Sequence, residues 1–432
     1  MLVSVIKKSQ FYFIFSFLAL IIVGTVLLRL PILKGGRSLD WIDALFMATS
    51  SVCVTGLVTV DVTQFSLFGQ MIIMVLMQLG GIGIMTMSGS IIVLMGKHMS
   101  WSESKILSNM TDNYSPQGVE NMMRTIIGYT IVAESIGMLF LVIGFMLCGF
   151  GFIDSLWHAL FHSVAAFCNA GMSTLPGNLE HATTMVKIIV ALLVFLGGIG
   201  MYVVYDFFES FRLNRKMRVN TKLILVTTFI LIVLGTLLLK FYQYRGGVRI
   251  SWIDSIFQVI SARTAGFNTV PMDTLVPGSV LLLCFLMLIG GAPGSTAGGM
   301  KVTTFALVMA AIYNTFCGNE KVLIFKRKIA TGTVLKAFTI AVTFIVLSAV
   351  GAGIFQGMTT ANMQKVMFEV ISALGTVGMS LGMNEHYTEH GKLFIIFYMF
   401  IGRIGPLTLL AFLLGRERKS KLIYPEEKII IG

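Results

Sequence analysis

The chain has 432 residues, of which 56% are hydrophobic and only 12% charged, and its mean hydropathy is +0.87. No ordinary soluble domain carries that balance, so the composition points to an integral membrane protein. The net charge of +12 does not imply nucleic acid, because the bases fall in juxtamembrane clusters such as Arg212 to Arg218, Lys326-Arg-Lys328 and Arg416 to Lys419. Those clusters fit an anionic lipid surface or the docking of an acidic cytosolic partner.

In chain order, apolar runs occupy 11–30, 67–94, 125–150, 185–208, 223–239, 280–313, 334–355 and 393–414. Each is close to or above the ~20 residues that cross a hydrocarbon core, which predicts eight spans. Lys7 and Lys8 precede the first run, but no small-residue cleavage site follows it, so a retained span is expected rather than a signal peptide. Twenty of the 32 Lys and Arg residues fall in the N-terminus, the tail and the loops after spans two, four and six, counting Lys336 at the start of span seven. That bias places both termini in the cytoplasm of a multi-pass cell-membrane protein.

Between the members of each pair of spans lies a shorter segment ending in a polar turn closed by glycine. The turns are Cys53-Val-Thr-Gly56, Cys168-Asn-Ala-Gly171, Arg263-Thr-Ala-Gly266 and Gly375-Thr-Val-Gly378. Phe46, Phe161, Phe257 and Phe368 stand about ten residues before the glycines, and Gly80, Gly197, Gly290 and Gly402 follow them by 24 to 26 residues. Four such units, 1–99, 100–219, 220–322 and 323–432, predict an all-α membrane fold: helix, re-entrant pore helix, turn, helix, repeated around a pseudo-four-fold pore. The pore-helix starts are read at Trp41, Leu156, Trp252 and Val366, with Asp43, Asp254 and Glu369 near the first turn, where a helix dipole favours an anion.

A monovalent cation that sheds its water needs oxygens in exchange, and rings of backbone carbonyls supply them. The candidates are Val54, Thr55 and Gly56; Asn169, Ala170 and Gly171; Thr264, Ala265 and Gly266; and Thr376, Val377 and Gly378. Asp61, Asp273 and Glu385, together with Asn178 and Glu180, are placed at the outer mouth, where carboxylates would concentrate cations. Arg263 is expected to turn its charge into the protein, toward a carboxylate.

The second span of unit three contains Gly290, Gly291, Ala292, Pro293, Gly294, Ser295, Thr296, Ala297, Gly298 and Gly299. Proline and five glycines cannot continue a helix, so this stretch reads as an unwound, movable gate below the turns. It lacks the GK[ST] ending and preceding strand of a phosphate loop. Arg403, at the equivalent depth of unit four, is expected to pair with the carbonyls of this loop or to narrow the pore with its positive charge. Glu134 is expected to form a buried interhelical hydrogen bond.

With the four turns, the Ser261-Ala-Arg-Thr-Ala-Gly-Phe-Asn268 stretch, the GGAPGSTAGG loop and Ile401-Gly-Arg-Ile-Gly405 in view, the whole chain resembles the Trk/Ktr/HKT superfamily of potassium transporters, most nearly its KtrB-type membrane subunits. The resemblance implies K+ uptake, often with Na+ dependence, and a homodimer with one pore per protomer. It also implies a cytosolic RCK/KTN (KtrA-type) ring of nucleotide-binding regulatory subunits. A Na+-selective or Na+-coupled transporter of the same superfamily is the alternative. An obligately coupled carrier fits less well, since carriers favour two-fold repeats with carboxylates at the site. No enzyme is expected: His158 and His162 lie four apart but lack a third metal ligand in spacing.

Overall fold

The computed structural model describes residues 2–83, 116–319 and 321–405. The second halves of the predicted spans 67–94 and 393–414 lie largely outside them. Fourteen α-helices form among the described residues. Unit one supplies α1 (Leu2–Leu28), α2 (Trp41–Val52) and α3 (Leu67–Ile82), and unit two α4 (Pro116–Leu147), α5 (Phe152–Phe167), α6 (Thr184–Gly198) and α7 (Met201–Arg212). Unit three supplies α8 (Val219–Arg245), α9 (Trp252–Ala262), α10 (Pro277–Leu288) and α11 (Val302–Phe316). Unit four supplies α12 (Thr331–Gln356), α13 (Met363–Gly375) and α14 (Glu389–Ile404). A two-stranded hairpin, β1 (Leu323–Ile324) with β2 (Arg327–Lys328), joins α11 to α12.

Local chemistry sets the helix starts. Ser66, Ser251 and Thr388 accept the N–H groups of Gly69, Asp254 and Gly391, and Pro277 opens α10. The residues Thr125–Leu147 of α4, together with α8 and α12, are long and apolar enough to cross a membrane, and shorter apolar helices accompany them. The predicted span 185–208 is not one helix: α6 and α7 meet at a bend of 87°.

The short helices α2, α5, α9 and α13 are the centre of the packing. Their repeated phenylalanines Phe46, Phe161, Phe257 and Phe368 are fully or almost fully buried. Each second helix packs on the short helix of the next unit: α3 on α5, α6 on α9, α10 on α13, and α14 back on α2. The fourth residue of the second helix bonds across three of these seams. Trp157 Nε1 donates to Gln70 at 2.6 Å, Lys187 pairs with Asp254 at 2.8 Å and Lys392 with Asp43 at 2.6 Å. The apolar Val280 holds that place at the seam between units three and four.

One expectation is corrected here. The acids in the first turns of the short helices are Asp43, Asp154 and Asp254. Glu369 is not among them, because α13 begins at Met363 and buries Glu369 at mid-helix, where it accepts from Ser380 at 2.7 Å and from Tyr387.

Candidate functional site: four turns, an outer cavity and an inner loop

The four turns repeat one backbone conformation. Val54, Asn169, Thr264 and Thr376 take φ of 55°, 60°, 77° and 49°, and the glycines two residues later take 96°, 65°, 78° and 94°. Only glycine adopts the second value without strain, and the first is stored strain that the surrounding packing holds in place. The residue between them sends its N–H back to the short helix. Thr55, Ala170, Ala265 and Val377 donate to Ser50, Ala165, Ser261 and Ser372 carbonyls, all at 2.8 Å. The N–H groups of Gly56 and Gly378 go to the hydroxyls of Ser50 and Ser372 at 3.1 and 3.0 Å.

A trans peptide points its C=O opposite to its N–H, so the carbonyls of these turns face away from the helix ends. Where they go is visible at the glycines. A β-carbon on Gly56 would collide with Ala170 O, one on Gly171 with Ala265 O, one on Gly266 with Val377 O, and one on Gly378 with Thr55 O. The four turns therefore meet in a closed ring in which each carbonyl lies against the next glycine.

On one side of the ring is a cavity of about 230 Å³, lined by all four turn glycines and by Asp61, Asn178, Glu180, Asn268 and Ser380 among others. Asp61 thus reaches the cavity, where it also accepts from Thr63 N at 2.8 Å. Asp273 is exposed in the short 3-10 helix Met272–Thr274 and does not line the cavity. Glu385 sits in the 3-10 helix Met383–His386, and its side chain lies outside the described residues. Asn178 donates to Gly171 O at 3.3 Å, and Asn268 donates to Glu180 at 3.1 Å. Burial pushes the Glu180 carboxyl above its ordinary range, a rise partly opposed by His181, the Asn268 bond and Lys187.

On the other side lies the unwound stretch 290–299. Its base is closed by Gly290 N to Met300 O at 2.8 Å and Val302 N to Gly291 O at 3.0 Å. Its length is docked on the bend of unit two: Ala292 N donates to Gly198 O at 2.9 Å, Met201 N to Gly294 O at 3.1 Å, and Thr296 Oγ1 to Phe167 O at 3.1 Å. Gly298 lies directly beneath Thr376, whose Oγ1 occupies the place of a β-carbon. Arg403 donates to Thr296 O and, through its other amino group, to Gly80 O at 2.5 Å and Gly81 O at 3.4 Å. Lys301 Nζ donates to Ala297 O at 2.6 Å. Arg263 does turn inward, but its partner is the carbonyl of Gly290 at 3.2 Å rather than a carboxylate.

Two features escaped the sequence reading. Ser50 and Ser372 hold turn amides, although nothing in their context separates them from other small helix residues. The break after the glycine cluster is shared by units one, two and four as well as three: Gly83, Gly200 and Gly405 take φ of 83°, 87° and 88° with ψ of 130°, 133° and 130°. The signal was present in Gly80-Gly-Ile-Gly83, Gly197-Gly-Ile-Gly200 and Gly402-Arg-Ile-Gly405. The interhelical hydrogen bond expected of Glu134 is present: it accepts from Gln78 Nε2 at 3.0 and 3.2 Å, and Cys168 Sγ donates to the oxygen of the same amide at 3.3 Å. His162 is buried against Ser173 at 2.9 Å, and His158 bonds Thr174 at 2.6 Å.

Residues 8–418 match the TrkH family model, described as a cation transport protein, and the chain belongs to that family. It is 34% identical to the Ktr system potassium uptake protein B of Bacillus subtilis, over 96% of this chain and 95% of that protein. It is 33% identical to the potassium/sodium uptake protein NtpJ of Enterococcus hirae, over 96% of both. The fold is that of the potassium transporter TrkH from Vibrio parahaemolyticus, with a TM-score of 0.72 and 17% identity across 94% of this chain and 85% of that one. The family consists of membrane-embedded ion transporters, not enzymes.

Proposed function

We propose that this chain is the channel-like, K+-translocating uptake subunit of a Ktr-type system. The observation that carries the reading is the closed ring in which Thr55, Ala170, Ala265 and Val377 present carbonyls against Gly378, Gly56, Gly171 and Gly266. Such a ring can replace the hydration shell of a monovalent cation. Val54 to Gly56, Asn169 to Gly171, Thr264 to Gly266 and Thr376 to Gly378 form the selectivity filter. Asp61 and Glu180 draw cations into the outer cavity, with Asp273 and Glu385 adding charge at its rim. The stretch 290–299, held by Arg403, is the gate. The protein works as a homodimer under a cytosolic RCK/KTN ring, with both termini on the cytoplasmic side. The potassium uptake named in its relatives supports the choice of ion.

Growth of a potassium-transport-deficient cell at low K+ tests this reading. Rescue together with measured K+ uptake is the expected result, and Na+ uptake alone would overturn it. A second reading, transport of both K+ and Na+, is favoured by the similarity to the potassium/sodium uptake protein of Enterococcus. A filter of one glycine per turn also offers fewer ordered carbonyls than a longer one. The K+ to Na+ uptake ratio separates the two.

A further inference from the structure

Helix α7 leaves α6 at 87° and is therefore turned away from the direction in which α6 crosses the bilayer. Its depth is fixed by Asp206, which accepts from Thr221 Oγ1 at 2.6 Å and from Arg218 N at 3.0 Å. Those two residues stand at the start of α8, a 27-residue apolar span, so α7 lies at the edge of the hydrocarbon core. Asp206 and Glu209, its two acids, are taken up by Arg215 on the face turned to α8. The opposite face bares Phe207, Phe208 and Phe211, the last 86% exposed, followed by exposed Leu213. Arg212 and Lys216 are exposed beside them, and no carboxylate among the described residues pairs with either.

An in-plane helix with an aromatic face and flanking bases matches the boundary between acyl chains and anionic headgroups. We infer that α7 is an interfacial helix whose Phe207, Phe208 and Phe211 sit in the acyl boundary while Arg212 and Lys216 engage anionic phospholipid headgroups. The helix is not free to move alone. Its first residue, Met201, bonds Gly294 O at 3.1 Å, and Gly294 lies against the ring of Tyr202. A cavity of about 100 Å³ lined by Gly81, Met201, Tyr202, Gly294 and Ser295 adjoins this joint and leaves room for displacement. Lipid contact on α7 is thereby transmitted to the 290–299 stretch, a consequence that rests on the gate reading given above.

The test uses the whole chain in nanodiscs of phosphatidylcholine and phosphatidylglycerol. Cys148 and Cys317 are replaced by serine, since the other three cysteines are buried. Nitroxide labels at Phe208→Cys and Phe211→Cys are expected to collide with oxygen and be shielded from an aqueous nickel relaxer, with Asn214→Cys the reverse. Labels at 208 and 211 that meet the aqueous relaxer, or that are shielded from both by a second copy, would overturn the seating. In vesicles, uptake by the unlabelled protein is expected to depend on the phosphatidylglycerol fraction, and R212Q/K216Q to reduce that dependence by about fivefold. Lipid-seated labels with uptake indifferent to phosphatidylglycerol would overturn the transmission to the loop while leaving the seating intact.

Discussion

The carbonyl oxygen of Thr55 stands where a β-carbon would be built on Gly378. The two residues are 323 positions apart in sequence and belong to the first and last units, so this contact closes the ring. Gly378→Ala must displace that carbonyl, whereas Gly382→Ala, also at positive φ (77°), meets nothing within 4 Å. Both variants carry the backbone strain, roughly 1–3 kcal/mol. Only Gly378→Ala is expected to shift the K+ to Na+ uptake ratio, by about tenfold, equivalent to ~1.4 kcal/mol. Equal ratios in the two variants, with both proteins folded, would remove the ring from ion selection.

The seam between units two and three carries the Lys187–Asp254 pair, with side chains 11% and 18% exposed. Removing one partner strands a largely desolvated charge, so Lys187→Met should destabilise the protein by about 2 kcal/mol, less than a fully buried pair would lose. The double variant Lys187→Met/Asp254→Asn should recover most of this. Thermal unfolding in detergent measures both. A single variant as stable as the parent would show that the pair contributes nothing to holding α6 against α9.

How much of this was legible in the sequence depends on the kind of constraint. Gly56, Gly171, Gly266 and Gly378 could be read because a turn at positive φ admits little else, and the same requirement recurs at four places. The spans at 125–150, 223–239 and 334–355 were legible because hydrocarbon thickness fixes their length. The break at Gly200 was missed because hydropathy does not register a change of direction, although the glycines of Leu196-Gly-Gly-Ile-Gly200 carried its signal. The position of Glu369 was misjudged for a related reason: an acid near the apparent start of a helix was assumed to meet the dipole. The helix in fact begins earlier, and Ser380 and Tyr387 satisfy the carboxylate inside. The partner of Arg263 is a carbonyl brought near by the loop's own folding, which no local pattern encodes.

Glu180 lines the cavity beside the ring of turns, and burial raises its carboxyl above the ordinary range. A raised carboxylate keeps its proton to higher pH, so the cavity loses this negative charge as the outside pH falls through the raised value. Half-saturation for K+ is therefore expected to weaken on acidification while an unperturbed Glu would still be ionised. Glu180→Gln should show the weaker half-saturation at both ends and a flatter profile. A profile identical to the parent's would mean that another group sets the pH dependence.

Arg403 joins three strands of the structure at once, donating to Thr296 O in the loop and to Gly80 O and Gly81 O at the end of α3. Two accounts of its effect on flux can be separated, because Arg and Lys share a charge but not a fork. If Arg403 acts as a tether, Arg403→Lys cannot span Thr296 and Gly80 together. The loop should then be released and uptake should rise several-fold, as is also expected of Arg403→Gln and of a deletion of 291–299. If it acts only as a positive charge near the path, Arg403→Lys stays at the parent's rate and only Arg403→Gln rises. The geometry favours the tether, since both amino groups are engaged and the loop's other bonds to a neighbouring unit run to unit two through Ala292, Gly294 and Thr296. Charge-assisted hydrogen bonds of this kind contribute about 1.5–3 kcal/mol each, enough to hold a ten-residue loop closed most of the time. Uptake by Arg403→Lys and Arg403→Gln both equal to the parent's, in folded protein, would show that neither account holds.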